Sequence, residues 1–567
     1  MPPAAGADRA AAEGGEQAKK WRRFAEGAAT QLPHKHPVII IPGFITGGLE
    51  LWEARNIPCL QEKYFAGGNN FRQRMFGPQM LFLMLTDAQC WLDLFSLDKR
   101  TGRDPANVKV RADSGFASVD YFLPGYWVWA KVLINLADIG YDPQSVAVMT
   151  YDWRLSPATT HERDGFFYNM RSNIKFFCQK NRHRSVVISH SYGTTVALAF
   201  FRWIGAREPQ FLNRFVGYWI NVGGVTLGLP KAMAAMLLGD VKDTMSIPAP
   251  ARRAIDSFLS QSARSEFTRT YSCLAAMMPR GCEEPYAHLL QLPNGTSVGR
   301  RDTFRLMRAA CARSGHENCV RQMDALEPEM DELPSLPQAP DMTVVCLYGV
   351  NKAVEVGYHV MPNPGADDVA EWTNNASYSP SYVNERADAA GGGTATLDTF
   401  NHSVFQGVRQ ANGDGTVPLA SLAYMCRAPN GWRQNVGRVV TMEYNHEEDS
   451  SGLNLRDGDS SGDHVNVLGN FELLETILKI ASGVDYASYQ ELQQKRAAGV
   501  AVDEATDDQF ESVDPQTGER QVLHRRVHDR IYSDIDRDIQ TRMQECLKKV
   551  SKPIVPKTSA IDDNEFL

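Results

Sequence analysis

Short apolar runs, each closed by a turn signal, recur along the chain. Pro37-Val-Ile-Ile-Ile-Pro-Gly43 predicts a buried strand running into a turn. Ser145–Tyr151, Ser185–Ser189, Val216–Val222, Val344–Tyr348 and Val439–Glu443 have the same character. Between them lie stretches that are apolar at helical spacing: Tyr126–Ile139, Asp164–Gln179 and Thr194–Ile204. Strand alternating with helix predicts an α/β core, a mostly parallel sheet covered on both faces. Residues 53–115 and 230–340 break the alternation and predict helical insertions over one sheet edge, rich in Met and aromatics. Residues 1–36 predict a disordered lead, 366–400 a polar surface loop and 502–514 an acidic linker. After the linker, Val527, Ile531, Ile535, Ile539, Met543 and Leu547 recur every fourth position, which predicts one amphipathic helix docked on the core.

Composition narrows the classes of function. The chain has 567 residues, 43% of them hydrophobic and 22% charged, a globular balance. A net charge of −8 argues against nucleic acid as a partner. No run of about 18 apolar residues exists, so no segment is expected to span a bilayer. Residues 1–36 lack the apolar core of a signal peptide, while ten cysteines suffice for a few bridges, and these two readings pull apart. Sequons at Asn294, Asn375 and Asn401 carry meaning only in a lumenal or secreted chain.

The sharpest chemical signal is Val186-Val-Ile-Ser-His-Ser191-Tyr-Gly193. A strand enters a small-x-Ser-x-Gly turn and a helix leaves it, the pattern of a nucleophile elbow. A serine hydroxyl needs a histidine base oriented by a carboxylate, and on this fold the chain order is Ser, acid, His. Asp414, in a Gly-flanked turn, and His464, just before the apolar stretch Phe471–Ala481, are the candidates. His446, Asp457, Asp459 and Asp463 are rivals for the same roles. Two backbone N–H groups should receive the oxyanion: Tyr192, after the nucleophile, and Phe44, in the loop after the first strand.

Cys59 and Cys90 bracket a segment dense in Phe, Met and Leu. If exposed, it would contact lipid, and a bridge would tether it as a lid. The competing reading is a buried core segment with two free thiols.

Gly47-Gly-Leu-Glu-Leu-Trp52, Cys90-Trp-Leu-Asp-Leu-Phe-Ser-Leu-Asp98, Asp120–Tyr126 and Tyr151-Asp-Trp-Arg154 resemble the lecithin:cholesterol acyltransferase family. Asn221–Gly224, Gly413–Pro418 and Ser461–Asn470 fit the same pattern, so the resemblance runs from about residue 37 to 483. It implies an α/β-hydrolase fold with a lid (about 53–97) and a cap (about 230–340). It implies a triad of Ser191, Asp414 and His464, an oxyanion hole at Phe44 and Tyr192, and Trp52 near the acyl chain. A lid disulfide would join Cys59 to Cys90, and a second bridge Cys346 to Cys426. Relatives usually carry Pro-His-Ser-Met-Gly at the elbow; Ser189 and Tyr192 replace Pro and Met here, and Tyr192 is expected to reshape the acyl pocket. Residues 484–567 match no family pattern.

The activity implied is acyl transfer from the sn-2 position of a phospholipid to diacylglycerol, through an acyl-Ser191 intermediate, without metal or cofactor. The alternatives are a lipase or phospholipase using the same triad, a sterol acceptor, and a non-catalytic lipid-binding protein. The expected setting is a membrane surface reached through the lid, on the lumenal side of the endoplasmic reticulum by resemblance, with a plastid or soluble form as alternatives.

Overall fold

The computed structural model describes residues 35–55, 57, 71–75, 77–123, 125–239, 241, 243, 249–362, 372–374, 397–400, 403–447, 458–498, 500, 509–513 and 520–549. The six apolar runs form six strands: β1 (Val38–Ile41), β2 (Val146–Val148), β3 (Ser185–His190), β4 (Val216–Val222), β5 (Ala339–Val350) and β6 (Val436–Asn445). Their spatial order is β6-β5-β4-β3-β1-β2, and every neighbouring pair is parallel.

The runs are continuous rather than alternating because both sheet faces are covered. Ile39, Ile41 and Val187 enter one core with Met170 and Ile174 of α2 (Phe166–Asn181) and Phe200 and Phe201 of α3 (Tyr192–Gly205). Val38, Ile40, Val186 and Ile188 point the other way. They pack with Val132 and Leu136 of α1 (Ala130–Asp138) and Leu473 and Ile477 of α4 (Phe471–Ala481). Helix α1 starts later than the spacing predicts, because Tyr126–Trp127 pairs instead with Tyr121–Leu123 as a small hairpin.

The two stretches that break the alternation carry elements outside the central sheet. The first carries the strand Leu49–Ala54, paired with Gln73–Arg74 and Val108–Ala112, and the helices Pro78–Thr86 and Ala88–Phe95. The second carries helices including Pro230–Leu237, Gln261–Arg269, Arg300–Arg313 and Glu317–Leu326. After β5 the chain makes a further excursion. Lys352–Pro362 leads away and Val408–Gly413 returns antiparallel to it, with Lys352 opposite Gly413. The return strand therefore ends beside the C-terminal end of β5.

The tail departs from the single helix that its spacing predicts. Within 527–547 the helical stretches are Ile535–Arg542 and the start of Gln544–Lys548. Upstream, the Arg530 N–H donates to Thr441 O and the Glu443 N–H donates to Arg530 O, so this stretch lies along the edge of β6. The buried Glu443 carboxylate accepts from the N–H groups of Tyr532 and Ser533 and from the Ser533 hydroxyl. An edge strand offers the backbone ready partners, and here that pairing overrides a four-residue period. Val527, Ile535, Ile539 and Met543 are nonetheless buried, as a docked apolar face requires. Residues Gln509–Val513, expected within the linker, pair with Arg520–His524 as a hairpin.

Cys546 of the tail is bridged to Cys282 of the cap, Cys311 to Cys319, and Cys346 of β5 to Cys426. Cys90 is disulfide-bonded; Cys59 lies outside the described residues. Cys178 and Cys273 are free and buried. Asn294 is exposed in the turn between Leu290–Gln291 and Ser297–Val298, while Asn375 and Asn401 lie outside the described residues. Among the described residues no helix is long and apolar enough to cross a membrane.

Candidate active site

The site lies at the C-terminal ends of the strands, where β1 separates β3 from β2 and the strand order reverses, the usual crevice of an open parallel sheet. Ser191 follows β3 and begins the turn into α3 with φ 56° and ψ −125°. A non-glycine residue holds such a conformation only where its surroundings enforce it. Here the Ser191 N–H donates to Val222 O of β4. A Cβ on Gly193 would sit 2.5 Å from the carbonyl oxygens of Ile41 and Pro42, and one on Gly43 2.8 Å from Ser191 Cβ. The elbow and the loop after β1 thus meet at a separation that only glycine permits.

Ser191 Oγ lies 2.8 Å from His464 Nε2, and His464 Nδ1 lies 2.6 Å from Asp414 Oδ2. The other Asp414 oxygen accepts from the N–H groups of Thr416 and Val417, at 3.0 and 2.7 Å. This anchoring leaves one carboxylate oxygen for the imidazole. Asp414 follows the returning strand Val408–Gly413, so the excursion delivers the acid beside the end of β5. His464 precedes α4, and its backbone N–H donates to Asp414 O. The rivals fall elsewhere. Asp463 pairs with Lys352, Asp459 with Lys131, and the His446 N–H donates to Val350 O. Asp457 lies outside the described residues.

Tyr192 follows Ser191 at the start of α3, and Phe44 follows Gly43, whose added Cβ would meet Ser191 Cβ. The loop carrying Phe44 is held by the Tyr151-Asp-Trp-Arg154 motif. Tyr151 Oη donates to Pro42 O, Trp153 Nε1 donates to Gly47 O, and the Phe44 ring packs edge-on against Trp153. Burial pushes the Asp152 carboxyl up, but Arg154 and Arg163 outweigh it and hold the pKa down to about 2. Arg154, also fully buried, reaches Asp104 at 2.8 Å. The motif is thus a buttress for the Phe44 loop, a role that the sequence signal alone did not reveal.

The two elbow substitutions are accommodated by new partners. Ser189 Oγ accepts from Trp219 Nε1 and bonds Thr194 Oγ1, which donates to Asn221. Tyr192 is fully buried, and its hydroxyl donates to Leu155 O. The phenol expected to reshape the acyl pocket is therefore tied to the chain just after the Tyr-Asp-Trp-Arg motif. Trp52 is 40% exposed and packs against Phe71.

His190, one residue before Ser191, also touches the constellation. Its Nε2 lies 2.8 Å from His464 O. The sequence carries the same His as the Pro-His-Ser-Met-Gly elbow of relatives, but the elbow pattern gives that position no role.

A parallel sheet of this order with a Ser–His–Asp chain at its switch point defines an α/β-hydrolase-fold protein with a serine nucleophile elbow. The family model for lecithin:cholesterol acyltransferase matches residues 70–303 and 309–471, and the chain belongs to that family. It is similar to the phospholipid:diacylglycerol acyltransferase of Schizosaccharomyces pombe, 32% identical over 501 residues, covering 79% of this chain and 73% of that protein. The enzyme of the same name from Saccharomyces cerevisiae is 30% identical over 505 residues, covering 79% and 70%. Phospholipid:diacylglycerol acyltransferase 1 of Arabidopsis thaliana is 28% identical over 572 residues, covering 80% and 81%.

Burial pushes the His190 pKa down to about 3, with the neighbouring His464 adding to the effect; burial likewise pushes His36 down to about 4. In the unfolded chain both titrate near 6.5. Below that value the unfolded chain takes up protons that the folded chain refuses, so their contribution to stability is complete above about pH 6.5 and falls away toward pH 3. The melting temperature is expected to be lower at pH 5 than at pH 7, and His190→Gln, which does not titrate, to lose less of it. A flat melting temperature across that interval would contradict the assignment.

Proposed function

We propose that the chain moves a fatty acyl group from the sn-2 position of a phospholipid to diacylglycerol. The observation that carries this reading is the Ser191–His464–Asp414 hydrogen-bonded chain, set in a protein whose named relatives are phospholipid:diacylglycerol acyltransferases. His464 Nε2 removes the Ser191 proton as Oγ attacks the ester carbonyl. The N–H groups of Phe44 and Tyr192 receive the oxyanion. Asp414 keeps His464 in the tautomer with its free nitrogen toward Ser191 and stabilises the imidazolium. The proton passes to the departing lysophospholipid oxygen, leaving acyl-Ser191. A diacylglycerol hydroxyl then gives its proton to His464 and attacks the acyl carbonyl, and triacylglycerol departs as Ser191 regains its proton. Side chains and backbone amides supply every group in these steps.

The substrates are lipids, and the first insertion carries the surface to meet them. Phe82 and Leu85 on the helix Pro78–Thr86 are 57% and 67% exposed. Trp52, on the strand Leu49–Ala54, and Phe71, in the turn before Gln73–Arg74, are exposed beside each other, and Tyr121 and Tyr126 are exposed on the following hairpin. Apolar side chains left in water on and next to this insertion suit a bilayer interface. In this reading Trp52, on the strand after the Phe44 loop, meets the acyl chain. A Cys59–Cys90 bridge would tether this insertion. The bridges at Cys282, Cys311 and Cys346 favour an oxidising compartment, in keeping with the lumenal side of the endoplasmic reticulum.

Vesicles of sn-2-labelled phospholipid with diacylglycerol test the chemistry. Labelled triacylglycerol is expected, and Ser191→Ala is expected to lower its formation by at least about a thousandfold. Label appearing only as free fatty acid would make the chain a hydrolase. Phe82→Asp combined with Leu85→Asp is expected to weaken vesicle flotation roughly tenfold. Unchanged flotation would remove this insertion from the membrane contact.

A further inference from the structure

One buried polar side chain beside Ser191 has no part in the steps above. His190 is fully buried at the end of β3. Its Nε2 lies 2.8 Å from the backbone oxygen of His464. A carbonyl only accepts, so Nε2 carries a proton. Burial, with His464 second, keeps the ring neutral by pushing its pKa down to about 3.

The contacts of His464 show what this bond does. Its backbone N–H donates to Asp414 O, and its Nδ1 bonds Asp414 Oδ2. Both of those contacts lead to one residue on one loop. His190 supplies the restraint from the other side, and it does so from the residue next to the nucleophile. Its ring centroid also lies 4.9 Å from that of His464, with the two planes tilted by 37°. Trp129 meets the ring edge-on at 6.1 Å. Toward the loop after β1, a Cβ on Gly43 would lie 3.2 Å from His190 Nδ1. Strand β3 is hydrogen-bonded on both sides, so His190 is fixed in place. One ring therefore joins the backbone of the base to the strand of the nucleophile.

We propose that His190 is a positioning residue, which sets the reach of His464 Nε2 to Ser191 Oγ by holding the His464 carbonyl. Proton transfer is sensitive to small displacements of the base, so loss of this bond acts on the chemical step rather than on lipid binding. The inference rests on the reading of Ser191 as nucleophile.

Three variants separate the possibilities: His190→Leu, which removes the donor; His190→Gln, whose amide nitrogen can reach the place of Nε2; and His190→Asn, which is polar but too short. Each is compared with wild type in the rate of Ser191 labelling by a soluble fluorophosphonate, in kcat and KM on phospholipid–diacylglycerol vesicles, and in melting temperature. Wild type is expected to label at Ser191. Leu and Asn are expected to lower the labelling rate and kcat by about tenfold or more with KM little changed, and Gln to recover most of both. Should Leu fail to fold, Asn against Gln carries the comparison. Leu or Asn labelling at the wild-type rate would overturn the inference, as would Gln no faster than Leu or Asn. Wild type that does not label at all would instead overturn the reading of Ser191.

Discussion

A single carbon atom added to Gly193 would collide with the carbonyl oxygens of Ile41 and Pro42, and one added to Gly43 would collide with Ser191. The rest of the site depends on this contact between the elbow and the loop after β1. It sets the residue before Phe44 against Ser191, the geometry on which the proposed oxyanion role of the Phe44 and Tyr192 amides rests. It also holds Ser191 at a positive φ that its own side chain disfavours. The cost of that conformation is carried by the sheet. Strand β3 is paired on both sides, and the Ser191 N–H is taken by β4. Tyr151 and Trp153 then fix the far side of the loop. Asp152, Arg154, Arg163 and Asp104 hold this motif in place through paired buried charges, which stay tolerable only while each keeps its partner.

The acid and base reach the same point by separate routes. Asp414 arrives through a long excursion that leaves from β5 and returns beside it. His464 arrives after β6, on the segment that starts α4. Two such distant pieces need mutual restraints, and the structure supplies several. Asp414 bonds His464 through backbone and side chain, Lys352 pairs with Asp463, and His190 holds the His464 carbonyl. The Cys346–Cys426 bridge ties β5 to the helix that follows Asp414. The tail adds a strap along β6 and a covalent link to the cap.

Much of this was readable from residue order. Strands buried on both faces must be apolar throughout, so the six runs stood out and their alternation with helices announced the sheet. The elbow carries its own pattern because tight geometry restricts the flanking residues; the order on this fold makes Asp414 and His464 candidates beside His446, Asp457, Asp459 and Asp463, and the family resemblance picks them out. What escaped has physical causes too. A period of four at 527–547 signals an apolar face, but the free edge of β6 competed for the backbone and broke the helix in two. The Cys282–Cys546 pairing depends on where a tail crosses a cap, which spacing does not encode. His190 occupies a position where the elbow imposes no demand, so its bond to His464 became visible only in three dimensions. Tyr151 and Trp153 were noticed as family marks, and their work on the Phe44 loop appeared only with the fold.

The central claim is that the acyl group passes through Ser191. Rapid acid quench of the protein with phospholipid in the absence of diacylglycerol, followed by peptide mass spectrometry, tests it directly. The account predicts an acyl mass on the peptide containing Ser191, which disappears when diacylglycerol is added and is absent from Ser191→Ala. Triacylglycerol formation with no acylated Ser191 peptide at any quench time, or an acyl group on another residue, would contradict it.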